Sequence, residues 1–234
     1  MCSAGYGLIP VDVPIASYAA TFAFGHADSV AQDTDGTRQW WECLSRWVGP
    51  QREQPRSFSA LAARYPDSSI VAVLSDPYLR ACSNDLRDAA STLSSSDNLS
   101  VVGPGGRCAE VEDLVVPVTA ALRPAVGGSL LSLNVRAAMH LLAEVRLRGD
   151  AVRRPLLAKL MSDALAAAPD VPPRPAGERM SDDQVRTFIR ERLAFGPTSA
   201  TSLLRELRTS GLSCEQARFK NLFLAERNAS AGGW

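Results

Sequence analysis

Residues 69–103 decide the fold class, and they read SIVAVLSDPYLRACSNDLRDAASTLSSSDNLSVVG. Two short apolar runs rich in valine, residues 69–75 and 99–103, open and close this stretch between turn-forming residues. Between the two runs, apolar residues recur at helical spacing from Leu79 to Leu93. A strand, a helix and a second strand in this order are typical of parallel strands joined by a crossover helix. The sequence therefore predicts an α/β fold, with a parallel or mixed sheet and flanking helices.

Three further helices are predicted around this unit. Residues 37–48 form the first, with Trp40, Leu44 and Trp47 on one apolar face. The two longer helices have these apolar positions: residues 129–148 with Leu131, Val135, Ala138, Leu142 and Val145, and residues 151–168 with Val152, Leu156, Leu160, Met161 and Leu165.

A proline-rich stretch, residues 169–177, divides the chain. It reads PDVPPRPAG, and four prolines in nine residues indicate a stiff, extended linker. We therefore predict an α/β body over residues 1–168 and a separate module over residues 178–234.

The C-terminal module has the pattern of three short helices. Ser181-Asp-Asp-Gln184 and Ser213-Cys-Glu-Gln216 are capping-box patterns, each of which opens a helix. A middle helix over residues 199–208 precedes a glycine-containing turn at residues 210–212. Two helices joined by such a turn outline a helix-turn-helix, so the module is predicted to be a small all-α helix-turn-helix unit of the tri-helical or the winged type.

The composition is that of a folded globular chain, with 46% hydrophobic and 21% charged residues. No apolar run reaches the length of a membrane span, and the first residues lack the pattern of an export signal. The five cysteines are scattered and show no paired spacing, so neither a disulfide framework nor a zinc site is indicated. We expect a cytoplasmic protein without a membrane anchor, cofactor or metal.

The charge distribution indicates where a polyanion would bind. Residues 1–135 carry 9 Arg and 14 acidic residues, net −5, whereas residues 136–234 carry 16 basic and 11 acidic residues, net +5. Glutamine and asparagine pair with adenine, and arginine and lysine with guanine or phosphate. The predicted DNA-binding residues on the last two helices are Arg205, Arg208, Gln216, Arg218, Lys220 and Asn221. The alternative is the solvated face of a bundle that binds a protein.

A second candidate site is the Gly127-Gly128-Ser129 segment, followed by Asn134 and Arg136. Glycines let the chain approach a ligand closely, and the free N–H groups at a helix start attract anions. The segment thus predicts an anion site, and a tight turn packed on the sheet is the alternative.

Catalytic motifs are sparse. His26 and His140 are the only histidines, and none of the common metal-binding or nucleophile motifs is present. Asp76 follows the first predicted strand and could act as a base, although a helix cap is the simpler interpretation. We predict no catalytic residue and no metal site.

The most specific pattern is N-terminal: Cys2-Ser3-Ala4-Gly5-Tyr6-Gly7-Leu8-Ile9, then Ile15-Ala-Ser-Tyr18-Ala-Ala-Thr21-Phe22. It resembles the "SAxYGLL/I … pYdxT" segment of the YaaA-like superfamily, which includes peroxide-stress DNA-binding proteins and relatives encoded near DNA-modification and phage-defence genes. The match extends loosely through residues 69–93 to the Gly-Gly-Ser segment. Ala19 stands where the superfamily often has an aspartate, which argues against inherited catalysis.

The resemblance implies that Ser3, Tyr6, Gly7, Tyr18 and Thr21 line a cleft whose ligand is nucleic acid or nucleotide-like. It also implies a setting in bacterial DNA modification or antiviral defence. We expect a DNA-binding or DNA-complex-associated protein. Two alternatives stay open: an enzyme acting on a nucleobase or nucleotide, such as a glycosidic-bond transferase or hydrolase, and a non-catalytic assembly subunit.

In that superfamily the N-terminal motif follows a core strand, and this chain begins at Met1. An empty place in a sheet would leave unpaired N–H and C=O groups. Residues 113–119 could fill it, although Pro117 lacks the donor that a central strand needs. We therefore expect self-association, or a partner subunit, through the surface around residues 1–24.

Overall fold

The structure is a computed structural model, and it describes residues 1–168, 177–196 and 198–231. The chain divides into two compact units, Met1–Val171 and Pro172–Trp234. The predicted linker, residues 169–177, lies outside the described residues except for Gly177. No helix in the described ranges combines the length and the apolar character that a membrane crossing requires.

The N-terminal unit combines short strands with many helices. In chain order its elements are β1 (Cys2–Ser3), β2 (Gly7–Leu8), α1 (Thr34–Arg46), α2 (Phe58–Arg64), β3 (Ile70–Val73), α3 (Asp76–Ala81), α4 (Ser83–Thr92), β4 (Leu99–Gly103), β5 (Val115–Pro117), α5 (Arg123–Val126), α6 (Leu133–Arg148) and α7 (Arg154–Ala167). Short 3-10 turns occupy Ser96–Asn98, Ala109–Leu114, Ala120–Leu122 and Leu130–Ser132.

The central sheet is parallel, with the strand order β3-β4-β5. Val71 pairs with Ser100, and Val102 pairs with Val116. The connection from β3 to β4 is helical, as predicted, but consists of two helices that meet at Cys82. The predicted α/β class is therefore confirmed.

Helices cover both faces of this sheet. On one face, Trp41 and Leu86 belong to the core that contains Val101 of β4. On the other face, Leu141 of α6 belongs to the core that contains Val102. All five residues of β4 are buried, which explains why the adjacent residues Val101 and Val102, which face opposite sides of the sheet, are both apolar.

The predicted buried face of α1 is confirmed for Leu44 and wrong for Trp40 and Trp47. The helix buries Thr37, Trp41 and Leu44, whereas Trp40 and Trp47 stay exposed. The buried residues follow the i, i+4, i+7 spacing of one helical face. Adjacent tryptophans made both faces apolar, so spacing alone did not distinguish them.

The predicted inner face of α6 is also wrong in part. Leu133, Ala137 and Leu141 are buried, whereas Leu131 is 99% exposed and Val135 and Leu142 also face solvent. Apolar residues occur nearly all around this helix, so the sheet, and not the helical spacing, selects the buried face.

The start of α2 is held by a carboxylate that is distant in sequence. Asp85 of α4 accepts hydrogen bonds from the N–H groups of Phe58 (2.7 Å) and Ser59 (2.9 Å) and from the Ser59 hydroxyl (2.6 Å). Trp41 Nε1 donates to the same carboxylate at 3.0 Å. Asp85 therefore joins α1, α2 and α4.

The N-terminal motif forms its own hairpin. β1 pairs antiparallel with β2 in a sheet separate from the parallel one, so Ser3 does not continue a strand of the central sheet. Residues 113–119 do supply a strand, β5, but it pairs with β4. Because β5 is an edge strand, the missing donor of Pro117 interrupts no second ladder.

The C-terminal unit contains β6 (Glu178–Arg179), α8 (Asp182–Leu193), α9 (Ala200–Thr209), β7 (Leu212–Ser213) and α10 (Gln216–Ala231). The three helices share one apolar core, which includes Ile189, Leu207 and Phe219. β6 and β7 pair in parallel. Glu226 of α10 is buried and forms ion pairs with Arg186 and Arg190 of α8.

The two predicted capping boxes have different outcomes. The box of Ser181 and Gln184 is present at the start of α8 and is confirmed. The second is wrong, because Ser213 belongs to β7 and its hydroxyl donates to the Gly177 carbonyl at 2.7 Å. Glu215 caps α10 instead, by accepting two N–H groups of the first turn. These bonds hold the pKa of Glu215 below its ordinary value.

Candidate functional site

An open groove of about 1120 Å³ lies in the C-terminal unit, between α9 and the first turns of α10. Leu204, Leu212 and Phe219 supply its apolar floor. The other lining residues are Gly177, Ala200, Thr201, Arg205, Arg208, Thr209, Gly211, Ser213, Gln216 and Lys220. The groove is thus an apolar trough with polar and cationic walls.

Among the described residues, the charged lining of this groove is entirely basic. Arg205, Arg208 and Lys220 are exposed and line it, and no described acidic residue does so. Arg208 donates to the Cys214 carbonyl at 3.2 Å, which orients its guanidinium. Within the described ranges, Arg205 and Lys220 form no ion pair. Gln216 lies one helical turn before Lys220 and lines the same groove.

Two of the predicted DNA-binding residues lie outside this groove. Arg218 donates to the Asp182 carboxylate at 2.6 Å and to the Met180 carbonyl at 3.2 Å. The hydrogen bond to Asp182 raises the pKa of Arg218. Asn221 is exposed on α10 but does not line the groove. The structure therefore brings together Arg205, Arg208, Gln216 and Lys220, and separates Arg218 and Asn221 from them.

The N-terminal hairpin brings Ser3, Tyr6 and Tyr18 together. Buried Ser3 Oγ donates to Tyr18 Oη at 2.7 Å and accepts from the Tyr6 N–H at 3.1 Å. The two tyrosine rings pack edge to face, with centroids 5.2 Å apart. A Cβ at Gly5 would lie 2.6 Å from the Tyr18 ring, so this packing requires glycine there. Gly7 adopts a φ of +69° in the hairpin, which favours glycine.

Thr21 has a local role in the structure. Its backbone forms an isolated bridge with Ser29, and its hydroxyl accepts from the Ala23 N–H at 3.1 Å. No described hydrogen bond or ring contact joins it to Ser3, Tyr6 or Tyr18.

The Gly127-Gly128-Ser129 segment surrounds an arginine. Arg136 donates to the Val126 carbonyl at 3.1 Å, and a Cβ at Gly128 would lie 2.3 Å from its Nε. Gly128 also has a φ of +83°. Ser129 accepts at its carbonyl from Ser132 in the turn that precedes α6. Packing against Arg136 and local backbone geometry thus account for the glycine pair without an anion.

Asn134 occupies a different position, at the carboxyl end of β3. Its Nδ2 donates to the Leu74 carbonyl at 2.8 Å. The N-terminal hairpin packs with the core on one face of the sheet, whereas α6 packs with the core on the other. The structure therefore does not gather Tyr6, Tyr18, Asn134 and Arg136 into one pocket.

A polar cluster links α1 to the turn Ala109–Leu114. Arg38 donates to Glu110 at 2.8 Å, and the Cys108 thiol donates to the same carboxylate at 3.1 Å. Backbone and side-chain hydrogen bonds lower the pKa of Glu110 to about 2. Burial raises the pKa of Cys108, so this thiol stays protonated and is a weak nucleophile. In the described part of the chain, no group of three His, Cys, Asp or Glu residues is placed to hold a metal ion.

Two residues beside the hairpin were not predicted from the sequence as site residues. Arg56 is buried, and its Cζ lies 5.1 Å from the centroid of the Trp47 ring. Trp47 also contacts the Tyr6 ring, with centroids 5.8 Å apart. Nothing in the local sequence predicts that Arg56 is buried. Its partners are Trp47, nine residues earlier, and Tyr6 in the N-terminal motif.

Comparisons of the chain with protein-family models, with curated proteins and with solved structures find no match. The candidate sites are therefore interpreted from their own geometry.

Proposed function

We propose that this protein binds duplex DNA through the groove between α9 and α10. The observation that carries the proposal is the groove lining, where three cations meet and the described residues supply no carboxylate. Cations that form no ion pair with a neighbouring carboxylate attract phosphate groups and release counterions when they bind them. The walls supply Arg205 and Arg208 from one helix and Lys220 from the other.

The helix arrangement supports the same function. α9, the turn after it and α10 follow α8 around a shared core, and we interpret them as a helix-turn-helix. In such units the N-terminal residues of the last helix contact base edges in the major groove. Gln216 is the first residue of α10, so it is the side chain best placed to contact a base.

The Arg205→Ala, Lys220→Ala double variant is expected to bind duplex DNA roughly tenfold to a hundredfold more weakly at 0.1 M salt, because it loses two phosphate contacts. Each lost contact also reduces the salt slope, the slope of log binding constant against log salt concentration, by about 0.9. Fluorescence anisotropy of a labelled duplex at several salt concentrations measures both quantities. The slope should flatten by about two units.

Arg218→Ala and Lys220→Ala form a matched pair of single variants, since each removes one positive charge from α10. Arg218 is already paired with Asp182, so its removal should weaken binding less than removal of Lys220. Equal losses for the two variants, or no binding by the wild-type chain, would contradict the groove as the DNA site. Binding of an acidic peptide in place of DNA would indicate the alternative, a protein-binding assembly subunit.

The proposed setting, a bacterial DNA-modification or antiviral defence system, depends on the N-terminal resemblance to the YaaA-like superfamily. The enzyme alternative would need the polar side chains of the two N-terminal-unit candidate sites, Tyr6, Tyr18, Asn134 and Arg136, in one pocket, and no observation supports that arrangement.

We also propose that the N-terminal segment mediates self-association or binds a partner subunit. Val11, Tyr18 and Phe24 expose apolar surface there, and such surfaces often mark interfaces. Sedimentation velocity at micromolar concentration should detect a dimer or larger species. The substitutions Val11→Glu and Phe24→Glu should each shift the equilibrium between dimer and monomer towards the monomer. A wild-type chain that sediments as a monomer at every concentration would exclude self-association.

A further inference from the structure

Arg56 is a buried cation without a carboxylate partner among the described residues. Only 6% of its surface is exposed. Its Nη2 donates to the Tyr6 carbonyl, and its Nε is buried with no hydrogen-bond partner. Burying a guanidinium without a counter-charge is unfavourable, so an isolated cation of this kind needs an explanation.

The surrounding chain is shaped around this guanidinium. A Cβ at Gly49 would lie 2.4 Å from Arg56 Cζ, and Gly49 has a φ of +68°. Trp47, two residues before Gly49, places its ring centroid 5.1 Å from Arg56 Cζ. The Arg56 carbonyl accepts from the Leu8 N–H at 3.0 Å, which fixes the backbone to the hairpin. The cation is thus held in place by local packing.

The Nη1 atom of this guanidinium retains some contact with solvent. Nη1 forms no hydrogen bond with a described residue. Unlike Nε, it is not completely buried. The surface beside it is aromatic, since Trp47 is 45% exposed and Tyr18 is 42% exposed. Tyr6 joins the two, by its contacts with both rings.

We propose that Arg56, Trp47 and Tyr6 bind a nucleoside phosphate, with the phosphate on the Arg56 guanidinium and the base stacked on the exposed aromatic surface. Guanidinium groups recognise phosphate by charge-assisted hydrogen bonds. Bases stack on aromatic rings and on arginine whatever their sequence. A free nucleotide and the terminal nucleotide of a single strand share this chemistry. Arg56 and Trp47 lie outside the N-terminal motif, and this site does not depend on the groove of the C-terminal unit.

The full chain is titrated with AMP, CMP, adenosine and inorganic phosphate, and binding is followed by calorimetry and tryptophan fluorescence. Both monophosphates should bind and quench fluorescence. Adenosine and inorganic phosphate should each bind at least roughly tenfold more weakly than AMP, because each retains only one half of the recognised group. Binding of a 5′-phosphorylated single strand is then compared with binding of its dephosphorylated form, both to the Arg205→Ala, Lys220→Ala variant. This comparison shows whether the site takes a strand end or only a free nucleotide.

Arg56→Met tests the cation without removing its volume. We expect it to lose binding of AMP by roughly tenfold or more while its melting temperature is unchanged or higher, because a buried unpaired charge is replaced by an apolar side chain. Trp47→Leu should weaken AMP binding and abolish much of the quenching. Arg64→Met is the matched control, since Arg64 lies 5.5 Å from the Tyr65 ring on the exposed surface. Unchanged AMP binding by Arg56→Met, or phosphate binding as tight as AMP binding, would overturn the proposal.

Discussion

Replacing Phe219 with alanine is expected to unfold the C-terminal unit and to abolish DNA binding. Phe219 is fully buried in the core shared by the three helices, and its ring also contributes to the floor of the groove. Truncating a buried phenylalanine costs about 3–5 kcal/mol. A unit of roughly 60 residues is stabilised by about 3–9 kcal/mol in total. The substitution therefore removes at least about a third, and up to all, of the stability of this unit.

Differential scanning calorimetry and hydrogen exchange measure this effect. The transition of the N-terminal unit should remain near its wild-type temperature, because Phe219 belongs to a separate compact unit. Phe195→Ala is the matched control, since Phe195 is 87% exposed in the same unit and should change stability by less than about 0.5 kcal/mol. Wild-type melting of the Phe219→Ala chain would show that the three-helix core is assigned incorrectly.

Replacing Asp85 with alanine is expected to destabilise the N-terminal unit by about 2–4 kcal/mol, since it removes a helix cap and leaves buried donors unpaired. Four donors lose their acceptor, among them the Nε1 of buried Trp41. The other three belong to the first turn of α2. Loss of this carboxylate therefore loosens α1 and α2 together.

Urea denaturation followed by tryptophan fluorescence measures the change in the free energy of unfolding. Asp88→Ala provides the comparison, because Asp88 lies on the same helix with an exposed side chain and should cost less than about 0.5 kcal/mol. Asp85→Asn keeps one acceptor oxygen, so its loss in free energy of unfolding should lie between those of Asp85→Ala and Asp88→Ala. Equal midpoints for Asp85→Ala and Asp88→Ala would contradict the bridging role of Asp85.

The parallel strands could be predicted because their signal is local. The runs at residues 69–75 and 99–103 are apolar, rich in valine and flanked by turn residues, and they became β3 and β4. The capping box at Ser181 is equally local, because a hydroxyl and an amide three residues apart can satisfy each other within one helical turn.

Burial could not be predicted in the same way when two faces of a helix were both apolar. Trp40 and Trp41 are neighbours with similar side chains, and only the position of Asp85 and of the sheet decides that Trp41 is inside. Leu131 is exposed although its sequence neighbourhood resembles that of buried Leu133.

The candidate sites depend most strongly on the tertiary structure. Arg205, Arg208 and Lys220 could be named from the sequence because they are basic residues on predicted helices. Their separation from Arg218 depends on an ion pair with Asp182, 36 residues earlier in the chain. Arg56 gave no local signal, since its contact with Tyr6 spans 50 residues. Periodicity and caps are properties of neighbouring residues, whereas the partner of a charge is decided by which distant segments the folded core brings beside it.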